Sequence, residues 1–109
     1  MTHNATILDR LFLLVAARKG GDPETSYTAK LFARGPQKIA QKFGEEAVET
    51  VVAALAESDE QVVLESADLL YHLMVLWAEK GVEPVQVWSE LERRFGTSGL
   101  EEKRTRSQS

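Results

Sequence analysis

Two long helical patterns joined by the short link 57–59 are the feature that most constrains the fold. The first runs from about Pro36 to Ala56, and the second from about Asp59 to Lys80. Ser58 or Asp59 is predicted to cap the second helix, and Gly81 is predicted to end it. Because the link is short, the two helices are expected to pack antiparallel as an αα-hairpin.

The rest of the chain adds shorter helical segments. Apolar residues recur at helical spacing over 7–18, and Thr6 is predicted to cap this helix with Asp9 as its capping-box partner. Residues 26–32 are expected to form a short helical turn, and a last helix is predicted from Pro84 to about Phe95. With no strand pattern, the sequence predicts an all-α, four- to five-helix bundle-like domain over residues 1–95. The polar segment 96–109 lacks periodicity and is expected to be a disordered tail.

Composition and charge exclude several classes of protein. The chain has no cysteine, which excludes disulfide scaffolds, thiolate zinc sites and thiol catalysis. Its formal net charge of −4 argues against broad nucleic-acid binding. The longest strongly apolar run, 69–78, is too short for a membrane span, and no secretion signal is visible. We therefore expect a cytoplasmic protein with no nucleic-acid or membrane partner.

The helix that begins at Asp59 is apolar on almost every side after Asp68. A helix with this pattern is buried on most sides, and a short chain has little surface to cover it. A second copy across a two-fold axis would supply the missing cover, so we expect a homodimer. The alternative is that the first and last helices cover it within one chain.

Acidic residues cluster on both helices of the predicted hairpin. Glu45, Glu46 and Glu49 share one face of the first helix, and Glu65 and Asp68 share a face of the second. In an antiparallel hairpin the two sets lie at about the same distance from the link, so they are expected to face each other. Facing carboxylates need a cation, and oxygen ligands select Mg²⁺ or Mn²⁺. The alternative is two solvated acidic faces that never meet.

Carboxylate-bound Mg²⁺ usually keeps waters and meets substrate phosphates, so phosphate contacts are expected nearby. The candidates are cations and hydroxyl-bearing residues, although each cation taken singly is more often an ordinary surface residue: Arg18, Lys19, Ser26, Tyr27, Thr28, Lys30, Arg34 and Lys42. His72 is either a base or a core histidine, and a lone histidine on an apolar helix is more often structural.

These motifs resemble a known family. Glu45-Glu46-x-x-Glu49 followed by Glu65-x-x-Asp68 resembles the EExxE…ExxD signature of the all-α nucleoside triphosphate pyrophosphohydrolases, the superfamily of MazG-type and dimeric dUTPase-like enzymes. Within it, the Ser-Tyr-Thr run at 26–28 and the Asp-Leu-Leu-Tyr-His run at 68–72 are similar to the phosphoribosyl-ATP pyrophosphatase family. The resemblance covers residue 8 to about residue 95.

The resemblance implies a Mg²⁺-dependent helical homodimer. Its reaction would be hydrolysis of phosphoribosyl-ATP to phosphoribosyl-AMP and pyrophosphate, the second step of histidine biosynthesis. It implies Glu46, Glu49, Glu65 and Asp68 as metal ligands, with Glu45 as a further ligand or a group that orients water. Either Glu45 or Glu46 would be the base. The cyclohydrolase of the next step is expected on a separate chain.

Two other functions remain open from the sequence. A MazG-like house-cleaning pyrophosphohydrolase would prefer a free nucleoside triphosphate to phosphoribosyl-ATP. A non-catalytic helical dimerisation module would release no pyrophosphate from any nucleotide.

Overall fold

The computed structural model describes residues 3–95, and this part of the chain contains five α-helices and no strand. The helices are α1 (Thr6–Ala17), α2 (Tyr27–Arg34), α3 (Pro36–Ala56), α4 (Asp59–Lys80) and α5 (Pro84–Arg94). The all-α prediction is confirmed. None of these helices combines the length and apolar content needed to cross a bilayer. The predicted tail, 96–109, lies outside the described residues.

The predicted hairpin forms with the predicted bounds, and α3 against α4 is the most extensive helix–helix interface among the described residues. Ser58 caps α4, because its hydroxyl accepts a hydrogen bond from the Gln61 N–H at 3.2 Å. Gly81 ends α4 with φ 77°, a left-handed conformation that glycine adopts without a Cβ penalty. The short link 57–58 between α3 and α4 holds the carboxylate-bearing turns of the two helices side by side.

The start of α1 differs from the prediction. Thr6 is the first helical residue rather than the cap, and its N–H donates to the Asn4 side-chain oxygen at 2.9 Å. An Asn side chain satisfies a backbone N–H two residues further on, which explains why it takes this role. Asp9 completes no capping box with Thr6. It accepts a hydrogen bond from the Trp88 indole N–H at 3.0 Å and so joins α1 to α5.

The predicted turn at 26–32 is a full helix, α2. Its start is capped by Ser26, whose hydroxyl accepts from the Ala29 N–H at 3.1 Å. Leu31 and Phe32 are buried in the core and hold α2 against its neighbours. Gly35, with φ 92°, separates α2 from α3 at a conformation that residues with a side chain rarely adopt.

The core lies between α1, α2, the beginning of α3 and the second half of α4. Its buried members are Phe12, Val15, Leu31, Phe32, Ile39, Met74 and Val75. Four large apolar side chains on another side of α3 are exposed in the single chain: Val48, Val51, Val52 and Leu55, here termed the exposed α3 face.

α4 packs on the other side of α3, the side that carries Glu46, Thr50 and the fully buried Ala53. The small side chain of Ala53 and the hydroxyl of Thr50 allow the two helices to approach closely there.

Candidate metal centre

Three carboxylates meet across the hairpin. Glu46 and Glu49 come from α3 and Glu65 from α4, and one oxygen from each lies within 4.8 Å of the other two. Oxygens on opposite sides of an octahedral Mg²⁺ ion are about 4 Å apart, so the cluster has close to the dimensions of one ion's ligand shell. We refer to these three residues as the carboxylate cluster.

The carboxylate cluster is electrostatically strained without a cation. Burial, followed by the adjacent Glu49 charge, raises the pKa of Glu46 to about 7. Burial and Glu49 also raise the pKa of Glu65. The Oε2 atoms of Glu46 and Glu65 are both buried and accept no hydrogen bond within residues 3–95. Leaving buried carboxylate oxygens uncompensated is costly, and a bound cation would satisfy them.

The donor set fits a hard divalent ion. All three ligand groups of the carboxylate cluster are carboxylates, and the chain has no cysteine to offer a soft thiolate ligand. Oxygen ligands of this kind favour Mg²⁺ or Mn²⁺ over zinc or copper. The residues present therefore fit the ion that the sequence predicts.

Asp68 and Glu45 do not belong to the carboxylate cluster, although five converging carboxylates were expected. Asp68 is exposed, yet it is close enough for its charge to raise the pKa of both Glu46 and Glu65. Glu45 accepts hydrogen bonds from the Gln41 amide at 2.8 Å and the Lys42 amine at 3.3 Å, which lower its pKa. One residue is about 100° of helix, so Glu45 turns away from α4 when Glu46 faces it.

His72 lies in the core beside the cluster. Only 5% of its surface is exposed, and its Nε2 atom is 4.0 Å from a Glu46 carboxylate oxygen. Burial, then the Lys42 charge, lowers the pKa of His72, which favours the neutral imidazole. Its ring also meets the Tyr71 ring edge to face. This setting supports the core interpretation of His72 over a solvent-accessible base.

The predicted phosphate-binding residues divide into two groups. The half-buried Lys42 binds Glu45, and its pKa is raised first by that hydrogen bond and then by the nearby Tyr27. Thr28 is hydrogen-bonded to the Tyr71 hydroxyl, which ties the start of α2 to α4. Lys42 and Thr28 therefore lie against the hairpin, whereas the side chain of Tyr27 is exposed near Lys42.

Arg18 and Lys30 form the second group. Both are exposed, and in the described part of the chain neither makes a hydrogen bond or ion pair with the carboxylate cluster. A bound substrate would have to bridge the distance between them and the cluster.

Two residues at the site were not predicted from the sequence. Thr50 donates its hydroxyl proton toward the carbonyl oxygens of Glu46 at 2.8 Å and Glu65 at 3.3 Å. Tyr71 holds Thr28. Thr50 could have been found from its position one helical turn after Glu46, whereas the Thr28–Tyr71 contact spans 43 positions and leaves no local pattern.

A cleft opens between α3 and α4 beside the cluster. It is lined by Val48, Glu49, Val52, Glu57, Gln61 and Glu65. Carboxylates of the cluster and valines of the exposed α3 face thus border the same cleft. A ligand there would meet the oxygens of Glu49 and Glu65 on one side and apolar surface on the other.

An all-helical fold whose central hairpin clusters carboxylates beside an open cleft fits the class of all-α nucleoside triphosphate pyrophosphohydrolases, which the acidic motifs predict. The profile of the family described as phosphoribosyl-ATP pyrophosphohydrolase matches residues 8–95. The chain belongs to this family, as its motifs predict.

Curated relatives that carry the name phosphoribosyl-ATP pyrophosphatase match over nearly the whole chain, as three examples show. The protein of Paramagnetospirillum magneticum is 64% identical and covers 98% of both chains. That of Rhodospirillum rubrum is 68% identical over 92% of this chain and 86% of its own. That of Azospirillum brasilense is 63% identical over 94% and 93%.

Proposed function

We propose that this chain hydrolyses phosphoribosyl-ATP to phosphoribosyl-AMP and pyrophosphate with Mg²⁺, the second step of histidine biosynthesis. The observation that carries this proposal is the carboxylate cluster, in which two buried oxygens have no donor within residues 3–95. Membership of the phosphoribosyl-ATP pyrophosphohydrolase family supports the choice of substrate.

Glu46, Glu49 and Glu65 would hold the metal ion, with Asp68 at the edge of the site as a further oxygen ligand. When bound, Mg²⁺ would neutralise phosphate charge and polarise the phosphoryl group whose phosphorus atom is attacked. Mn²⁺ offers the same charge and ligand preference and is expected to substitute for it.

The chemistry left to the chain is orientation and proton transfer. An attacking water forms a bond to the α-phosphorus while the bond to the bridging oxygen breaks and pyrophosphate leaves. We assign the water's proton to Glu46 in preference to Glu45, because the Glu46 carboxylate belongs to the carboxylate cluster and the Glu45 carboxylate does not. Glu45, held by Gln41 and Lys42, is better suited to fixing the position of the lysine.

Phosphate recognition falls first to Lys42, the cation held against the hairpin. Tyr27 and Thr28 would contribute hydroxyl groups from the start of α2. Lys30 and Arg18 would complete the binding of the substrate's phosphates from further out. Cations placed around a departing pyrophosphate stabilise the charge that develops on it.

Pyrophosphate release from phosphoribosyl-ATP, measured with Mg²⁺ and with EDTA, tests the proposal. We expect release only with the metal, and at least tenfold higher kcat/KM for phosphoribosyl-ATP than for free nucleoside triphosphates. A preference for a free triphosphate would instead identify a MazG-like house-cleaning enzyme. No release from any nucleotide would leave a non-catalytic helical module.

We also propose a cytoplasmic homodimer, with the following cyclohydrolase on a separate chain. The exposed α3 face supports the dimer, since four large apolar side chains on one helix face are more than a stable monomer usually leaves in water.

The raised pKa of Glu46 predicts how Mg²⁺ stabilisation depends on pH. Between the ordinary pKa near 4.5 and about 7, the folded state binds more protons at Glu46 than the unfolded state. The contribution of Glu46 to the stability of the metal-free protein therefore falls as pH rises through this range. Protons also compete with the ion, so the rise in Tm caused by Mg²⁺ should be larger at pH 7.5 than at pH 5.5.

The difference in Tm with Mg²⁺ and with EDTA at each pH is the quantity to measure. Burial lowers the pKa of His72, so the contribution of His72 to the stability of the fold rises with pH, opposite to that of Glu46. The difference between the Tm with Mg²⁺ and the Tm with EDTA removes most of this contribution, because it is present in both measurements. A Mg²⁺-induced rise in Tm that is equal at both pH values would contradict the prediction.

A further inference from the structure

The hydroxyl group of Thr50 contacts backbone carbonyl oxygens on both helices of the hairpin, at two residues of the carboxylate cluster. The Thr50 Oγ1 atom is 2.8 Å from the Glu46 carbonyl oxygen and 3.3 Å from the Glu65 carbonyl oxygen. The first contact is the usual bond of a threonine to the residue four positions earlier in its own helix. The second crosses from α3 to α4, and the two carbonyls belong to two of the three clustered carboxylate residues.

The position of Thr50 makes this contact specific. Glu46, Thr50 and Ala53 lie on one side of α3, at spacings of four and three residues, and this is the side that faces α4. Ala53 is fully buried, so the helices are close there, and Thr50 is half-buried between it and Glu46. The hydroxyl thus lies where α3 and α4 are close and where the cluster is built.

We propose that Thr50 is a positioning residue for the metal centre, a role that rests on the metal-binding function proposed above. Its hydroxyl proton, shared between the two carbonyls, fixes how far α4 is shifted along α3. That shift sets the distance between the carboxylates of Glu46 and Glu65. Mg²⁺ tolerates little departure from octahedral geometry, so a loose register weakens binding without removing any ligand.

Two matched pairs of variants separate the hydroxyl from packing. The first pair is the wild type and Thr50→Val, which have the same branched shape and differ only in the hydroxyl group. Thr50→Ser and Thr50→Ala differ from each other only by the hydroxyl. If Thr50→Val does not fold, the serine and alanine pair still tests the inference.

The measurement is Mn²⁺ binding to the free protein, followed by the EPR signal of unbound Mn²⁺, with Tm recorded for every variant. We expect Thr50→Val to raise the Mn²⁺ dissociation constant roughly tenfold. Thr50→Ser should stay within about twofold of the wild type, and Thr50→Ala should match the valine variant. The same order is expected for the Mg²⁺ concentration that half-saturates pyrophosphate release.

The outcomes distinguish this inference from the proposed function. Wild-type affinity in folded Thr50→Val and Thr50→Ala proteins would overturn the role of Thr50 and leave the metal centre intact. Serine and alanine variants that are equally weak would assign the effect to the lost methyl group and also overturn it. A wild-type chain that binds no Mn²⁺ and releases no pyrophosphate would overturn both proposals.

Discussion

Replacing Glu46 by glutamine is expected to lower kcat/KM for phosphoribosyl-ATP by about 10³-fold or more. Glu46 is a proposed metal ligand and the proposed base, and its carboxylate oxygens lie against α4 with only 13% of the side chain exposed. Glutamine keeps the shape of the side chain but offers one weaker oxygen ligand and no carboxylate. Losing several kcal/mol of transition-state stabilisation corresponds to a rate loss of this size.

Stability should change in the opposite direction to activity. Because burial and neighbouring carboxylates raise the pKa of Glu46, its charge is unfavourable in the metal-free fold at neutral pH. Neutral glutamine removes that charge, so the Tm of Glu46→Gln in EDTA is expected to equal or exceed that of the wild type. Mg²⁺ should raise the Tm of the wild type and have little effect on the variant.

Steady-state pyrophosphate release and thermal unfolding test both statements. Glu60→Gln is the matched control, an exposed acidic residue in the first turn of α4 outside the carboxylate cluster, and it should behave as the wild type. Glu45→Gln distinguishes the two candidate bases, and we expect it to lose far less activity than Glu46→Gln. A Glu46→Gln protein retaining a tenth or more of wild-type kcat/KM would rule out the assigned role.

Replacing Leu55 by aspartate is expected to raise the dissociation constant of the proposed homodimer by about 100-fold or more. Leu55 is 84% exposed in the single chain, so the change should alter the free energy of unfolding of an isolated chain very little. In a two-fold dimer the same face of both copies meets, and each interface would contain the new charge twice. Burying unpaired charges is costly, which makes dissociation the expected outcome.

Sedimentation across a range of protein concentrations, together with thermal unfolding, tests the role of Leu55. Gln37→Asp is a suitable control. Gln37 is exposed and lies on the same side of α3 as Leu55, but it is at the other end of the helix, beyond the four residues of the exposed α3 face. Val48 and Val52 belong to that face and also line the cleft beside the carboxylate cluster. Because dissociation would change the surroundings of this cleft, we expect it to reduce pyrophosphate release as well. A Leu55→Asp protein that sediments as the wild type does would remove this face from the interface.

Local sequence information was sufficient for the helices of the hairpin. Pro36, Ser58 and Gly81 act through the backbone of their own turns, so the bounds of α3 and α4 agree with the prediction. The cap of α1 was misassigned because Asn4 and Thr6 can both serve and their sequence order does not decide between them. α2 was underestimated because its helical state depends on Leu31 and Phe32 being buried by other helices.

The carboxylate cluster was also predicted in part from local sequence and in part could not be. The spacing of Glu46, Glu49 and Glu65 predicts that they lie at one level of an antiparallel hairpin, and the structure brings them together. The spacing could not separate Glu46 from Glu45, because which side of α3 faces α4 depends on where Ala53 and Thr50 allow close approach. Asp68 was predicted to join the cluster, but it is exposed and acts on Glu46 and Glu65 only through its charge.

The sequence alone determined the all-helical class, the central hairpin, the acidic residues at one level and the family to which the chain belongs. Each of these follows from interactions within a few residues or from motifs along the chain. Only the tertiary structure decided which carboxylates converge, that Thr50 bridges the two helices, and that the exposed α3 face is left uncovered. These depend on the rotation of one helix against another, which is set by packing between residues far apart in the chain and leaves little trace in local periodicity.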